Sequence, residues 1–179
     1  MPKKRIILTE KEIEKIIERL AYEILEKTKD NSKLALIGIQ KRGIDIATKL
    51  KTILDSKTSL NIPIGSLDIN LYRDDWTTLN NTPFVNASYI PFNIENKEII
   101  LVDDVIFTGR TIRAALEAIL DFGRPNKIKL AVLIDRGHRD LPIHPDFIGK
   151  KINTSLKEKV HVLTLPQDGK EQVLLEEEV

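Results

Sequence analysis

The sequence predicts an α/β fold, a central and mostly parallel sheet flanked by helices. Short β-branched runs at residues 99–102 and 128–134 alternate with helical stripes, the order that builds a parallel-containing sheet. Polar loops at residues 40–43, 103–111 and 135–139 each follow a candidate core strand. Strands running in one sense bring such loops to one edge, where open α/β sheets bind ligands.

The elements follow in order. Residues 5–8 read as a short strand. Thr9 and Glu12 have the spacing of a capping box, and Ile13, Ile16, Ile17, Leu20, Ala21, Ile24 and Leu25 form the apolar stripe of the helix it opens. A turn at residues 29–32 leads to a buried strand at 34–39, a tight loop and an amphipathic helix to about Leu54. Leu67, Ile69 and Leu71 alternate with Asp68 and Asn70, the period of a half-exposed strand. Residues 73–89 are polar with little periodicity, as expected of a flexible functional loop. The strand at 99–102 ends in Asp103 and Asp104. After the turn Thr108-Gly109-Arg110-Thr111, the residues Ile112, Ala115, Leu116, Ile119 and Leu120 recur at helical spacing. Beyond the strand at 128–134, residues 135–160 are punctuated by Pro and Gly and read as a small loop-rich hood. Residues 160–165 read as a last strand, and Glu176, Glu177 and Glu178 as a solvated tail.

Composition narrows the class. A chain of 179 residues is expected to form a single domain, 1–179, with a sizeable core. No apolar run approaches the roughly 18 residues of a membrane span, and no signal peptide is visible, so a cytoplasmic location is expected. The absence of cysteine excludes a disulfide framework, a thiol nucleophile and cysteine zinc sites, and three histidines give no clustered ligand spacing. A net charge of +1 means that any RNA site must be a local patch.

The turn after Asp103 and Asp104 has its own chemistry. Gly109 lets the backbone approach a ligand, Thr108 and Thr111 supply hydroxyl donors, and the first N–H groups of the following helix favour an anion. Two carboxylates repel that same anion. Their partners are sugar hydroxyls or a hydrated Mg²⁺ ion, so the motif describes a ribose 5-phosphate pocket. A lone acidic pair at a strand end is more often simply solvated; the whole string decides otherwise.

VDDVIFTGRT (102–111) resembles the phosphoribosyl-pyrophosphate (PRPP) signature of type I phosphoribosyltransferases. It is neither a Walker loop nor a dinucleotide GxGxxG motif. With GIQKRG (38–43), DINLYRDD (68–75), the helix through FGRP (122–125) and AVLIDRGHRDLPI…DFIGK (131–150), nearly the whole chain is similar to the PyrR family. These are uracil phosphoribosyltransferases that in many bacteria also regulate pyrimidine operons by binding their messenger RNA.

The resemblance implies the type I phosphoribosyltransferase fold, with a small hood (roughly 135–160) and a flexible loop (roughly 73–89), and the reaction of uracil with PRPP to UMP and pyrophosphate. It implies Mg²⁺ carried by PRPP, with no dedicated protein cage. Asp103 and Asp104 would hold the ribose hydroxyls. Val105, Ile106, Phe107, Thr108, Gly109, Arg110 and Thr111 would cradle the 5-phosphate. Lys41, Arg42 and Arg73 would take the pyrophosphate, with Arg73 grouped with the acid pair as catalytic, and a cis peptide in the Lys41 loop would turn its N–H groups toward it. Ile106, Phe107, Ile134, Asp135 and Arg136 would surround uracil. Orotate and purine bases fit the superfamily, but the DRGHRDLPI segment argues against them.

The family's second activity implies RNA contacts at Arg19, His138, Arg139, Lys150 and Lys151, a pyr mRNA leader as partner and UMP or UTP as effectors. Glu18, Tyr22 and His144 depart from the RNA-binding members. Those departures weigh against RNA contacts; the alternative to the enzyme reading is primarily an RNA-binding, UMP/UTP-sensing attenuation regulator of the pyr operon with weak or vestigial catalysis. A homodimer or a higher homo-oligomer is implied as well.

Overall fold

The computed structural model describes residues 3–73 and 87–177. Five strands form one wholly parallel sheet in the order β3-β2-β4-β5-β6: β2 (Leu34–Ile39), β3 (Ile64–Leu67), β4 (Glu98–Ile106), β5 (Lys127–Asp135) and β6 (Phe147–Lys151). Helices α1 (Glu10–Lys27), α2 (Arg42–Thr58) and α3 (Arg110–Leu120) flank it.

Burial on both faces explains the unbroken apolar runs of the central strands. Along β4, Ile100 and Val102 join a core with Ile13, Ile17 and Leu20 of α1 and Leu50 of α2. The alternate residues Ile99 and Leu101 pack with Ile112, Ala115 and Ile119 of α3. Helix α1 opens as expected: the Thr9 N–H donates to Glu12 Oε2 at 2.8 Å, and Ile13, Ile17, Leu20, Ala21 and Ile24 are buried.

The chain leaves β2 through α2 toward β3, but leaves β4 through α3 toward β5, on the other side. The strand order reverses between β2 and β4, which places a crevice there for the loops after both strands.

A second, antiparallel sheet joins both ends of the chain. It has the order β1-β8-β7, from β1 (Lys3–Leu8), β7 (Lys159–Leu163) and β8 (Gln172–Glu177), with the short α4 (Leu165–Asp168) between the last two.

Several expectations are corrected here. Residues 135–160 are not loop throughout: β6 lies within them, paired to β5, and its Phe147 is fully buried. Gly149, which looks like loop punctuation, lies where any Cβ would collide with the Leu133 carbonyl of the neighbouring strand. The strand before the acid pair does not stop at 102. Asp103, Val105 and Ile106 remain paired to β5. Strand β3 is only four residues long, because the Asp68 carboxylate accepts the Asn70 N–H at 2.9 Å and turns the chain into a 3₁₀ turn at Asn70–Tyr72. The last strand is β8, not the 160–165 segment. Glu176 is no tail residue: it pairs with Lys4 at 3.2 Å and faces His161 at 3.0 Å. Leu120, placed on the apolar stripe of α3, is 61 % exposed at the helix end.

Candidate active site

Gly109 caps α3 with φ +92°, and Arg110 opens the helix. The side chains of Leu141 and Ile143 back the glycine, and the Asp140 and Leu141 N–H groups donate to the Thr108 carbonyl at 2.9 and 3.2 Å. The Arg110 N–H reaches Thr108 Oγ1 at 3.3 Å. Val105, Ile106, Phe107, Thr108, Gly109, Arg110 and Thr111 all line one cavity of about 300 Å³, together with Arg73 and Ile112. A helix N-terminus and a glycine turn at its wall suit an anion.

A second cavity of about 260 Å³ adjoins it, lined by Gln40, Lys41, Arg42, Asn70, Asp103 and Asp104 among others. Arg73, Val105 and Thr111 line both. The Gln40–Lys41 peptide is cis. The structure thus brings the predicted anion turn, acid pair and cationic loop together at the crevice. Asp74, Asp75 and residues 76–86 lie outside the described residues.

The acid pair is withdrawn from water. Asp103 is 5 % exposed, and the Asp104 N–H donates to Asp103 Oδ1 at 2.9 Å. Burial first, then the Asp104 charge, pushes the Asp103 carboxyl well above the ordinary range. Burial also raises Asp104, against the opposing pull of its hydrogen bonds and of Arg42. Two adjacent carboxylates, one buried and one half-buried, with raised affinity for protons are poised for hydroxyl donors or a cation.

The predicted uracil residues do not all meet. Ile106 and Phe107 line the first cavity, whereas Ile134 is 0 % exposed and packs into the core, because alternation along β5 turns it inward. Asp135 and Arg136 line a different cavity of about 290 Å³, with Gly137, Arg139, His144 and Lys151. Arg136 reaches back through its guanidinium, 4.0 Å from the Phe107 ring centroid, while donating to the Ser155 carbonyl at 3.0 Å. His138 meets the Phe107 ring edge-on at 5.9 Å.

The RNA candidates also divide. Arg139 is a half-buried pin at the edge of the cavity lined by Asp135 and Arg136: its side chain is 13 % exposed and donates to Asp135 at 2.7 Å, the Phe107 carbonyl at 2.9 Å and the Ile143 carbonyl at 2.8 Å. Arg19 ties α1 to β6 through the Ile148 and Gly149 carbonyls and pairs with Glu23 at 2.6 Å. Lys150 and Lys151 are exposed on β6, and His138 is exposed with Nε2 at 2.6 Å from the Thr154 carbonyl.

The sequence pattern did not single out two contributors. Gln40 lines the cavity and reaches toward the Ala87 carbonyl at 3.4 Å. Asp168 pairs with Arg42 through two hydrogen bonds. Arg139, expected as an RNA contact, instead holds the Phe107 carbonyl beside the turn. Only the helix-start pattern of Thr164, Pro166 and Gly169 offered a local signal for the Asp168 turn.

A family model described as the phosphoribosyl transferase domain matches residues 5–168. A bifunctional protein PyrR of Syntrophobacter fumaroxidans is 46 % identical over 173 residues, 97 % of this chain and 93 % of that relative. The bifunctional protein PyrR of Caldicellulosiruptor bescii is 48 % identical over 177 residues, 99 % and 97 % of the two chains. Among solved structures, a hypoxanthine phosphoribosyl transferase of Trypanosoma cruzi matches with a TM-score of 0.73 at 20 % identity, covering 96 % of this chain and 90 % of that one. A hypoxanthine-guanine phosphoribosyltransferase of Bacillus anthracis matches with a TM-score of 0.72 at 15 % identity, covering 99 % of each. The flanked parallel sheet described above is the fold of these two transferases.

Proposed function

Because this chain belongs to the phosphoribosyl transferase family, and within it to the PyrR proteins, we propose that it joins uracil to the ribose of PRPP, releasing UMP and pyrophosphate. The observation that carries this reading is the shared wall of the two cavities. A glycine nest at a helix start and the Asp103–Asp104 carboxylate pair meet at Arg73, Val105 and Thr111. A 5-phosphate in the first and ribose hydroxyls in the second span that wall.

The reaction breaks the bond between the anomeric carbon and pyrophosphate through an oxocarbenium-like state, so the protein supplies positioning and charge rather than a covalent nucleophile. Thr108, Gly109, Arg110 and Thr111 hold the 5-phosphate, and Asp103 and Asp104 accept the ribose hydroxyls. Lys41, Arg42 and Arg73 neutralise the departing pyrophosphate. Ile106 and Phe107 bound the uracil, and Arg136 stiffens the Phe107 ring.

Mg²⁺ fits this donor set as an ion brought by PRPP. Asp103 and Asp104 line the cavity and offer carboxylate oxygens to the ion's water shell. When bound, the ion adds charge neutralisation at the pyrophosphate.

The test is pyrophosphate release from PRPP, Mg²⁺ and a panel of bases. Uracil is expected to be the preferred base, and no turnover with any base would end this reading. We place the enzyme in the cytoplasm as a homo-oligomer, for which light scattering after gel filtration is the check.

A second reading, regulation through RNA, draws on the basic cavity walled by Arg136, Arg139, His144 and Lys151, with Lys150 exposed beside it. A gel shift of a pyrimidine-operon leader, with and without UMP and at two salt concentrations, tests it. Binding that ignores both nucleotide and RNA sequence removes it.

A further inference from the structure

Resting on the reading above, we propose that Asp168 is a positioning residue that aims the Arg42 guanidinium at the pyrophosphate of PRPP. Arg42 Nε donates to Asp168 Oδ2 at 3.2 Å and Nη2 to Oδ1 at 2.8 Å, a two-pronged grip on one edge of the guanidinium. The Nη1 edge makes no part of this grip. A planar guanidinium held this way is oriented, and its remaining donors match a phosphate.

The carboxylate is itself held in place. Asp168 Oδ2 accepts the Thr164 N–H at 2.8 Å, and the Asp168 N–H donates back to the Thr164 carbonyl at 2.8 Å. Thr164 is 3 % exposed, and its Oγ1 donates to Asp45 Oδ2 at 2.7 Å. One turn further along α2, Lys49 pairs with Glu171, whose side chain is 4 % exposed. Arg42, Asp45 and Lys49 are spaced i, i+3, i+7 and so share one face of α2. That face is bolted by three polar rungs to the turn between β7 and β8. Only the first rung reaches the cavity.

A physical reason makes the first rung necessary. The charge of Arg42 also bears on Asp104 and Asp45. Without Asp168, the carboxylates left acting on the guanidinium include Asp104, the one assigned to the ribose. Asp168 occupies the guanidinium edge and keeps the two oppositely charged sides of the site apart.

The experiment compares Asp168→Asn, Asp168→Glu and Glu171→Gln with the wild type. Affinities for Mg²⁺-pyrophosphate, PRPP and UMP are measured by calorimetry, and KM and kcat are measured on the folded proteins. Asp168→Asn is expected to weaken PRPP and pyrophosphate about tenfold, the order of one charge-assisted bond. UMP, which has no pyrophosphate, keeps its affinity. Asp168→Glu recovers part of the loss, and Glu171→Gln, which breaks a rung away from the cavity, leaves PRPP binding unchanged.

Equal weakening of UMP, or a matching loss in Glu171→Gln, would make Asp168 a general structural brace and overturn the proposal. Unaltered pyrophosphate affinity in Asp168→Asn overturns it alone, with the phosphoribosyl reading intact. A wild type that takes neither PRPP nor pyrophosphate overturns both. Should Asp168→Asn fail to fold, Asp168→Glu decides by the same comparison of pyrophosphate with UMP.

Discussion

A Cβ on Gly43 would lie 2.5 Å from the Val102 carbonyl oxygen and 3.2 Å from the Asp103 Cα, so the first turn of α2 rests directly on the strand that carries the acid pair. The obstacle is backbone, which no rotamer change relieves. Gly43→Ala must push α2 off β4 and carry Arg42 with it. We expect a loss of about 1–3 kcal/mol in denaturant unfolding, as for other overpacked sites, with a raised KM for PRPP. Wild-type behaviour in both measurements would show that the contact is slack.

Asp103 sets stability against function. Its carboxyl is raised by burial and by Asp104. A carboxyl raised on folding favours the folded state while protonated. That contribution is complete below the ordinary value of 3.8 and is lost as pH climbs through the raised folded value. Asp103→Asn should therefore unfold at higher urea than the wild type at neutral pH, by on the order of 1 kcal/mol, and the gap should close as the solution is acidified. Turnover should fall at the same time. A destabilised Asn variant at neutral pH would mean that the native charge is already compensated.

Asp104→Asn should also fold, because its neighbours stay in place, yet it removes a charged acceptor for a ribose hydroxyl. We expect kcat/KM for PRPP to drop by about tenfold or more. Steady-state kinetics with unchanged values would take Asp104 out of the site.

Asp135 behaves in the opposite way. Burial works to raise it, but the Arg139 hydrogen bond, the Gly137 N–H and the charges of Arg139 and Lys151 bring it below the ordinary range. Its contribution is full above 3.8 and is lost as pH falls through the lowered folded value. Arg139→Met should cost about 1–3 kcal/mol at neutral pH, the order of losing charge-assisted hydrogen bonds in a partly buried pair, and the deficit should shrink in acid. Loosening the Phe107 and Ile143 carbonyls should raise KM for uracil more than KM for PRPP.

Gly109 tests the anion nest. At φ +92° a side chain is strained even though a Cβ would meet only ordinary contacts with Ile143 and Leu141. Gly109→Ala should cost about 1–2 kcal/mol and weaken UMP and PRPP together, as read by calorimetry. Loss of PRPP binding alone would place the 5-phosphate elsewhere.

Much of this architecture is readable from local pattern. The capping box of Thr9 and Glu12, the stripe of α1, the doubly buried strands and the glycine turn before α3 all depend on residues within one or two turns of each other. Periodicity reports which side of a segment is apolar, and paired loops after parallel strands imply one crevice. The acid pair was legible for the same reason: two carboxylates after an apolar run stand out wherever the strand ends.

Other features had no local trace. Strand β6 was hidden because Gly149 serves a tight packing contact with β5 yet looks like loop punctuation. Asp103 and Asp104 lie inside β4 rather than after it, because pairing to β5 holds the backbone extended whatever the side chains prefer. The amino-acid order alone determined the layers, the crevice and the glycine turn that opens α3. Tertiary structure alone decided that Ile134 is sealed in the core, that Arg139 pins the Phe107 and Ile143 carbonyls, and that Arg42 finds Asp168 across 126 residues. Hydrophobic period is a short-range property of the chain, whereas the partner of a charge is chosen by whatever the folded surfaces bring within 3 Å or so of it.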